Sequence, residues 1–152
     1  MNQGNWHTVK EWTTEAGLPA VAKLTPWGTF NGYIAVPEGH PLYGVDTTDT
    51  WGWGNELADR VNCAAHGSTT YADLGLNNIS GTGATANTAT AWWLGFDCAH
   101  HGDFSPVTDL HLSDPRDEYP DITVEEVFGT WRSLDYVIDC CEAMAREAQE
   151  EK

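Results

Sequence analysis

The most regular pattern of apolar and polar positions lies towards the C-terminal end. Trp131, Leu134, Ile138, Cys141, Ala145 and Ala148 recur at spacings of three and four, which places them on one face of an α-helix. Thr130 is suited to cap its start, because a short hydroxyl side chain can accept from the free N–H groups of a first turn. Arg132, Asp135, Asp139, Glu142, Glu147 and Glu150 occupy the other faces. The pattern predicts a long helix that packs its apolar stripe against a sheet. Upstream the pattern changes to short β-type runs. Residues 19–24 and 30–37 read as two strands joined across Pro26-Trp27-Gly28, and 38–44 as a loop, because Pro41 bars a central strand position. Residues 55–61 read as a short helix, and 68–72 and 89–96 as further strands. Two long loops are expected, an Asn/Gly/Ser/Thr/Ala-rich one over 77–88 and a proline-containing one over 103–122. The fold class expected is α+β: a mainly antiparallel twisted sheet packed against one long C-terminal helix, in a single domain spanning 1–152.

Composition narrows the function. The chain has 152 residues, 41% of them hydrophobic, with 8 Trp, 5 Tyr and 4 Phe, enough to build a packed core. Its 23 acidic residues against 7 Lys and Arg give a net charge of −16. Seven scattered cations cannot form a phosphate-neutralising stripe, so direct binding to a nucleic-acid backbone is not expected. No run approaches the roughly 20 apolar residues that a membrane span needs. The first residues, Met1 to His7, show neither a basic nor an apolar leader region, so a cytoplasmic protein is expected. Cys140 and Cys141 are adjacent in a helical segment, where neighbouring side chains diverge by about 100°. The four cysteines are therefore read as reduced thiols.

Two stretches concentrate hydrogen-bonding and titratable groups. One is Cys63-Ala-Ala-His66-Gly-Ser68-Thr-Thr70-Tyr71. The other is Trp92-Trp93-Leu-Gly-Phe-Asp97-Cys98-Ala-His100-His101-Gly-Asp103. Each follows or enters a predicted strand beside glycines that allow tight turns. Three chemistries compete for them. Cys63-x-x-His66 and Cys98-x-x-His101 have the spacing of paired zinc ligands, which makes zinc the one metal that the sequence brings into view, although no cofactor is required. His66 and His100 can serve as a general acid–base pair for phosphodiester hydrolysis, with Asp97 or Asp103 orienting an imidazole. The third is a binding pocket without catalysis, in which Ser68, Thr70, Tyr71 and His101 supply hydrogen bonds while Trp92, Trp93, Tyr71 or Phe96 stacks on a base. Trp92 and Trp93, adjacent on a strand, point to opposite faces, so at least one belongs to the core. Of the arginines, Arg60, Arg116 and Arg132 are the candidates for an anion contact, and none lies inside either stretch. His40, within Gly-His-Pro-Leu-Tyr-Gly, reads as a turn residue bonded to backbone, and His7 and His111 as surface or structural. Trp51-Gly-Trp-Gly54 reads as a surface turn with a core aromatic.

Taken in order, Gly32-Tyr-Ile-Ala-Val-Pro-Glu-Gly-His-Pro-Leu-Tyr-Gly44, His66-Gly-Ser-Thr-Thr-Tyr71 and Trp92-Trp-Leu-Gly-Phe-Asp-Cys-Ala-His100 with Gly102-Asp103 resemble a family of small tailed-phage proteins of uncharacterised activity. The resemblance runs from about residue 32 to the C-terminal helix. In the family pattern the first motif is similar to His-Gly-Gly-Leu-Thr-Tyr, so Ser68 and Thr69 depart from it. A small residue stands where this chain has His101, and no cysteine corresponds to Cys63. These departures move weight from zinc to His66, Thr70, Asp97, Cys98, His100 and Asp103.

The resemblance implies a counter-defence role in an infected host cell: sequestering a nucleotide immune signal such as a cyclic dinucleotide or a cyclic ADP-ribose derivative. The expected partner is thus a small nucleotide-like ligand, in a pocket that leaves room for a homo-oligomer. The alternatives are a phosphodiesterase that cleaves the same signal, and an acidic inhibitor that docks on a basic host nuclease through 109–121 and the C-terminal helix.

Overall fold

The computed structural model describes residues 6–49, 54–75, 90–99, 103 and 130–149. They form an α+β fold with a five-stranded sheet. The strands are β1 (His7–Thr13), β2 (Pro19–Leu24), β3 (Phe30–Val36), β4 (Tyr71–Leu74) and β5 (Trp92–Phe96), in the order β1-β2-β3-β5-β4 with every pairing antiparallel. Among the described residues two α-helices accompany it, α1 (Glu56–Ala64) and the long α2 (Leu134–Gln149). α2 crosses β2 and β3, and α1 packs against α2.

The central strand explains the two-sided core. From Asn31 to Val36 every residue of β3 is buried, so alternate side chains feed two separate clusters. On the helical side Ile34 and Val36 join Ala20, Ala22, Leu94 and Phe96 of the sheet with Ala58 and Val61 of α1 and Val137, Cys141, Met144, Ala145 and Ala148 of α2. On the other side Tyr33 and Ala35 join Val21, Ala91 and Trp93, with Trp6 and Tyr71 against them. Cross-strand register puts Thr8, Lys23 and Asn31 side by side on that second face. Lys23 is fully buried there and donates to Thr8 Oγ1 at 2.7 Å; its desolvated ammonium titrates below the ordinary lysine range.

α2 begins three residues later than its apolar stripe. Ser133, not Thr130, caps it: the Ser133 hydroxyl accepts from Tyr136 N–H at 3.1 Å. Thr130 instead forms a parallel bridge with Asp103. Trp131 therefore lies outside the helix and is 44% exposed, and the buried stripe runs through Val137 and Met144 rather than Ile138. Two further contacts fasten α2. Glu142 accepts from Trp12 Nε1 at 2.8 Å and from Glu15 N at 3.0 Å. His40 accepts from Leu42 N–H through Nδ1 at 3.0 Å, which leaves Nε2–H to donate to the Ala148 carbonyl at 2.9 Å in the last turn.

The other differences from expectation are of boundary and omission. α1 extends to Ala64, the strand expected at 68–72 is shifted to Tyr71–Leu74, and the one expected at 89–96 is seen as Trp92–Phe96. β1 has no clean alternation because it is an edge strand with a register shift between Thr8 and Lys10, so its sequence carries no strand signal. The loop expected at 77–88, most of that at 103–122, the acidic stretch at 109–121 and Trp51 and Trp53 lie outside the described residues. All four cysteines are free. Burial raises the thiol pKa of Cys98, Cys140 and Cys141, which keeps these three protonated and unreactive.

Candidate functional site

α1 ends with Ala65 N–H bonded to the Val61 carbonyl, and the chain then turns sharply through Gly67 and Ser68, both with positive φ (67° and 76°). Ser68 holds this left-handed conformation without being glycine, at a cost on the order of 1 kcal/mol. The turn is anchored from beneath by a buried polar set: Thr69 donates to Asn62 Oδ1 at 2.6 Å and meets Thr47 Oγ1 at 2.8 Å, while Asn62 Nδ2 donates to the Thr47 carbonyl. The result is a fixed position for His66.

His66 sits between two elements remote in sequence. Its Nε2 lies 2.9 and 3.0 Å from the Asp103 carboxylate oxygens, and its Nδ1 lies 2.7 Å from the Tyr136 hydroxyl on α2. A carboxylate can only accept, so Nε2 carries the proton and Nδ1 accepts from Tyr136 O–H in the neutral imidazole. Asp103, only 6% exposed, takes a second donor, Arg132 Nε at 2.9 Å. The Arg132 guanidinium lies over the Tyr136 ring, 5.1 Å from its centroid. The four side chains form one connected unit: Arg132 and His66 both donate to Asp103, and Tyr136 donates to His66.

Burial pushes the Tyr136 pKa up to about 12, with Cys140 adding to the rise, so its hydroxyl remains a donor at neutral pH. Tyr71, on the opposite face of the sheet, is also pushed up to about 12, chiefly by burial. Both folded values exceed the ordinary tyrosine value of about 10, so between these limits the folded state retains protons that the unfolded chain has released. Stability therefore falls as pH rises from about 10 towards 12. In a spectrophotometric titration, tyrosinate absorbance of the folded protein should lag that of the urea-unfolded chain across this window. Coincident curves would contradict the burial described.

Of the residues singled out in the sequence and described in the structure, His66 and Asp103 meet, with Cys98 near enough to feel the Asp103 charge, and Thr70, Tyr71, Trp92, Trp93 and Asp97 are engaged elsewhere. Tyr71 lies on the other face, edge-on to Tyr33 at 5.7 Å, with its hydroxyl spent on the Gly75 carbonyl. Trp93, 1% exposed, is core on that same face. Trp92 faces the helical side, where its indole donates to the Val45 carbonyl and packs on Tyr43. Thr70 is exposed, and its backbone N–H bonds to the Gly95 carbonyl. Asp97 closes a local turn by accepting from Ala99 N–H at 3.1 Å. His100 and His101 lie outside the described residues.

Cys63 and His66 do not share surroundings. Cys63 is exposed in a groove between α1 and α2, with Glu56, Asp59, Arg60, Ala64 and Glu147, of about 430 Å³. His66 has both ring nitrogens engaged by Asp103 and Tyr136. Among the described residues no three His, Cys, Asp or Glu side chains converge to hold a metal ion, and no helix is long and apolar enough to cross a membrane.

Two members of the unit, Arg132 and Tyr136, lie outside both sequence stretches, and of the two the sequence singles out only Arg132, as one of three candidate anion contacts. Their only local signal is the spacing of four that places a cation over an aromatic ring, and nothing in the linear order ties them to His66, 70 residues upstream of Tyr136. The fold and site together define a class, an α+β domain with a carboxylate-anchored His–Tyr–Arg cluster where the sheet meets its C-terminal helix. Comparison with known protein families, with curated proteins and with solved structures finds no match for this chain.

Proposed function

We propose that the chain binds a small anionic, nucleotide-like ligand through Arg132, held beside His66 by Asp103. The observation that supports this is the state of the arginine. Its Nε is committed to a buried carboxylate, its guanidinium carbon lies over the Tyr136 ring, and its side chain remains 29% exposed. The two Nη groups have no partner among the described residues, so they offer a forked pair of donors to a phosphate. In a chain of net charge −16 such an oriented cation is a local exception. The likeness to tailed-phage proteins makes cyclic dinucleotides and cyclic ADP-ribose derivatives the ligands to try first, in a counter-defence role.

A second reading, hydrolysis of the same ligand, is favoured by one observation: Asp103 orients the His66 imidazole as an acid–base group requires. Binding is the stronger reading because both ring nitrogens are spent inside the protein, and the hydroxyl on Nδ1 is a tyrosine held protonated.

The test incubates the protein with a panel of cyclic nucleotides and recovers the ligand after heat denaturation. Intact ligand supports binding, and fragments support hydrolysis. R132A should weaken binding by about 10- to 100-fold, the value of hydrogen bonds to a charged group, with R132K intermediate. Unchanged affinity in a folded R132A protein would overturn the proposal.

A further inference from the structure

Arg132 stands two positions before Leu134, the first residue of α2, so no helical backbone fixes it. An arginine side chain has many rotamers, and a site that uses one must hold it by contacts of the side chain itself. Among the described residues Arg132 has two such contacts. Its Nε donates to Asp103 at 2.9 Å, and its guanidinium carbon lies 5.1 Å from the centroid of the Tyr136 ring. The bond to Asp103 fixes one atom and leaves the guanidinium plane free to turn about the N–H···O line. The aromatic ring limits that turning, because a cation is drawn to its face.

Tyr136 is itself held on several sides. Its backbone N–H bonds to Ser133 Oγ at 3.1 Å, in the first turn of α2. Its hydroxyl donates to His66 Nδ1 at 2.7 Å and lies within hydrogen-bonding reach of the Cys140 thiol. The His66 ring stands edge-on to it, with 82° between the planes and 5.3 Å between centroids. Asp103 accepts from both His66 and Arg132, so Tyr136 closes a cycle of four side chains. Its two ends have separate tasks: the hydroxyl meets His66, and the aromatic face meets Arg132.

We infer that Tyr136 is the positioning residue of the Arg132 site, its aromatic face setting the plane in which the two Nη groups meet a phosphate. The inference rests on the anion-binding reading of Arg132 given above, and adds the group that makes this arginine a forked donor instead of a swinging charge. With one face covered and Nε spent, the Nη edge is what the guanidinium has left, and its fork matches two oxygens of one phosphate. Without the ring, Arg132 still attracts the anion but meets it in many orientations. Loss of the ring therefore lowers affinity without abolishing it.

The experiment measures binding of inorganic pyrophosphate to the full chain by calorimetry at one pH, with urea denaturation of each protein alongside. The proteins are the wild type, Y136F, Y136L, Y136M, R132K and R132K/Y136L. Y136L and Y136M lose the ring and should bind about 3- to 30-fold more weakly, the span of cation–π attraction. Y136F keeps the ring and loses the bond to His66, so it should recover most of the affinity while its urea midpoint falls. In R132K, whose ammonium has no plane to orient, the change to leucine should cost clearly less affinity than in the wild type. Equal weakening in Y136F and Y136L overturns the inference, because the hydroxyl would then carry the effect. Unchanged affinity in both ring-less proteins overturns it too, as does an equal loss in both backgrounds. A second measurement needs no ligand: the Arg132 Nε–H signal in NMR should be narrow and slowly exchanging in the wild type and Y136F, and broadened in the ring-less proteins. If pyrophosphate does not bind the wild type, the anion-binding reading falls, and an Nε–H signal indifferent to the ring overturns the positioning role as well. If neither ring-less protein folds, nuclear Overhauser contacts between the Arg132 side chain and the aromatic ring decide, and their absence in both the wild type and Y136F overturns the inference.

Discussion

Replacing Asp103 by alanine is expected to lower the stability of the folded chain by about 3 kcal/mol, the low end of what breaking a buried ion pair costs. The carboxylate side chain is 2% exposed and takes both His66 Nε2–H and Arg132 Nε–H. Removing it deprives two donors of the acceptor they share. Arg132 can recover part of the loss by turning to water, but His66, with 13% of its side chain exposed, cannot, which places the effect well above a single neutral hydrogen bond. In a chain of this size that corresponds to a fall in Tm of roughly 6–12 °C. D103N should recover only part of it, because the amide oxygen satisfies one donor while its NH2 faces the other. Urea denaturation of the three proteins checks this. A loss below about 1 kcal/mol in D103A would mean that the cluster does not join the sheet side to α2 as described.

The second large effect belongs to Gly95→Ala. A Cβ at position 95 would lie 2.6 Å from Tyr33 Cε1 and 3.0 Å from the Gly32 carbonyl oxygen. Tyr33 cannot step aside. It is 2% exposed, accepts from Asn31 Nδ2 at 3.1 Å and carries Tyr71 edge-on against it. The cost should reach about 3 kcal/mol, the top of the usual range for overpacking, and show as a lower urea midpoint or loss of soluble protein. Gly32→Ala makes the matching test on the helical face, where the new methyl would meet Cys141 Sγ at 2.6 Å and Phe96 Cζ at 2.7 Å. An unchanged midpoint in G95A would show that Tyr33 does not lie across that strand.

How much of this was legible before the fold was seen depends on distance along the chain. β2, β3 and α2 announce themselves because each is regular over its own length, and the turn at Trp27-Gly28 has local chemistry to mark it. Thr130 and Trp131 were misassigned for a physical reason: a stripe at helical spacing continues past the point where Ser133 caps the helix, and periodicity does not register a cap. At the site, His66 and Asp103 were legible as polar groups beside glycines, and their meeting confirms only the neighbourhood of the two stretches. Tyr136 was not legible, and Arg132 was legible only as one of three candidate anion contacts, because their places beside His66 come from α2 folding back over the sheet. Trp93 and Tyr71 looked like ligand contacts because aromatic residues near polar motifs look alike whether they face solvent or core. Only the two-sided burial of β3 separates these cases.

The contacts that close this molecule also govern how it can form. Trp12 meets Glu142 across 130 residues, Gly28 meets Trp131 across 103, and His66 meets Tyr136 across 70. Very long loops must close before these partners reward one another, and the cost of closure grows with loop length. A chain with this topology is expected to refold more slowly than a helical bundle, whose contacts are local. Until α2 docks, its half of the apolar sheet stays open to water, and that interval is when the protein is most prone to stick to its neighbours.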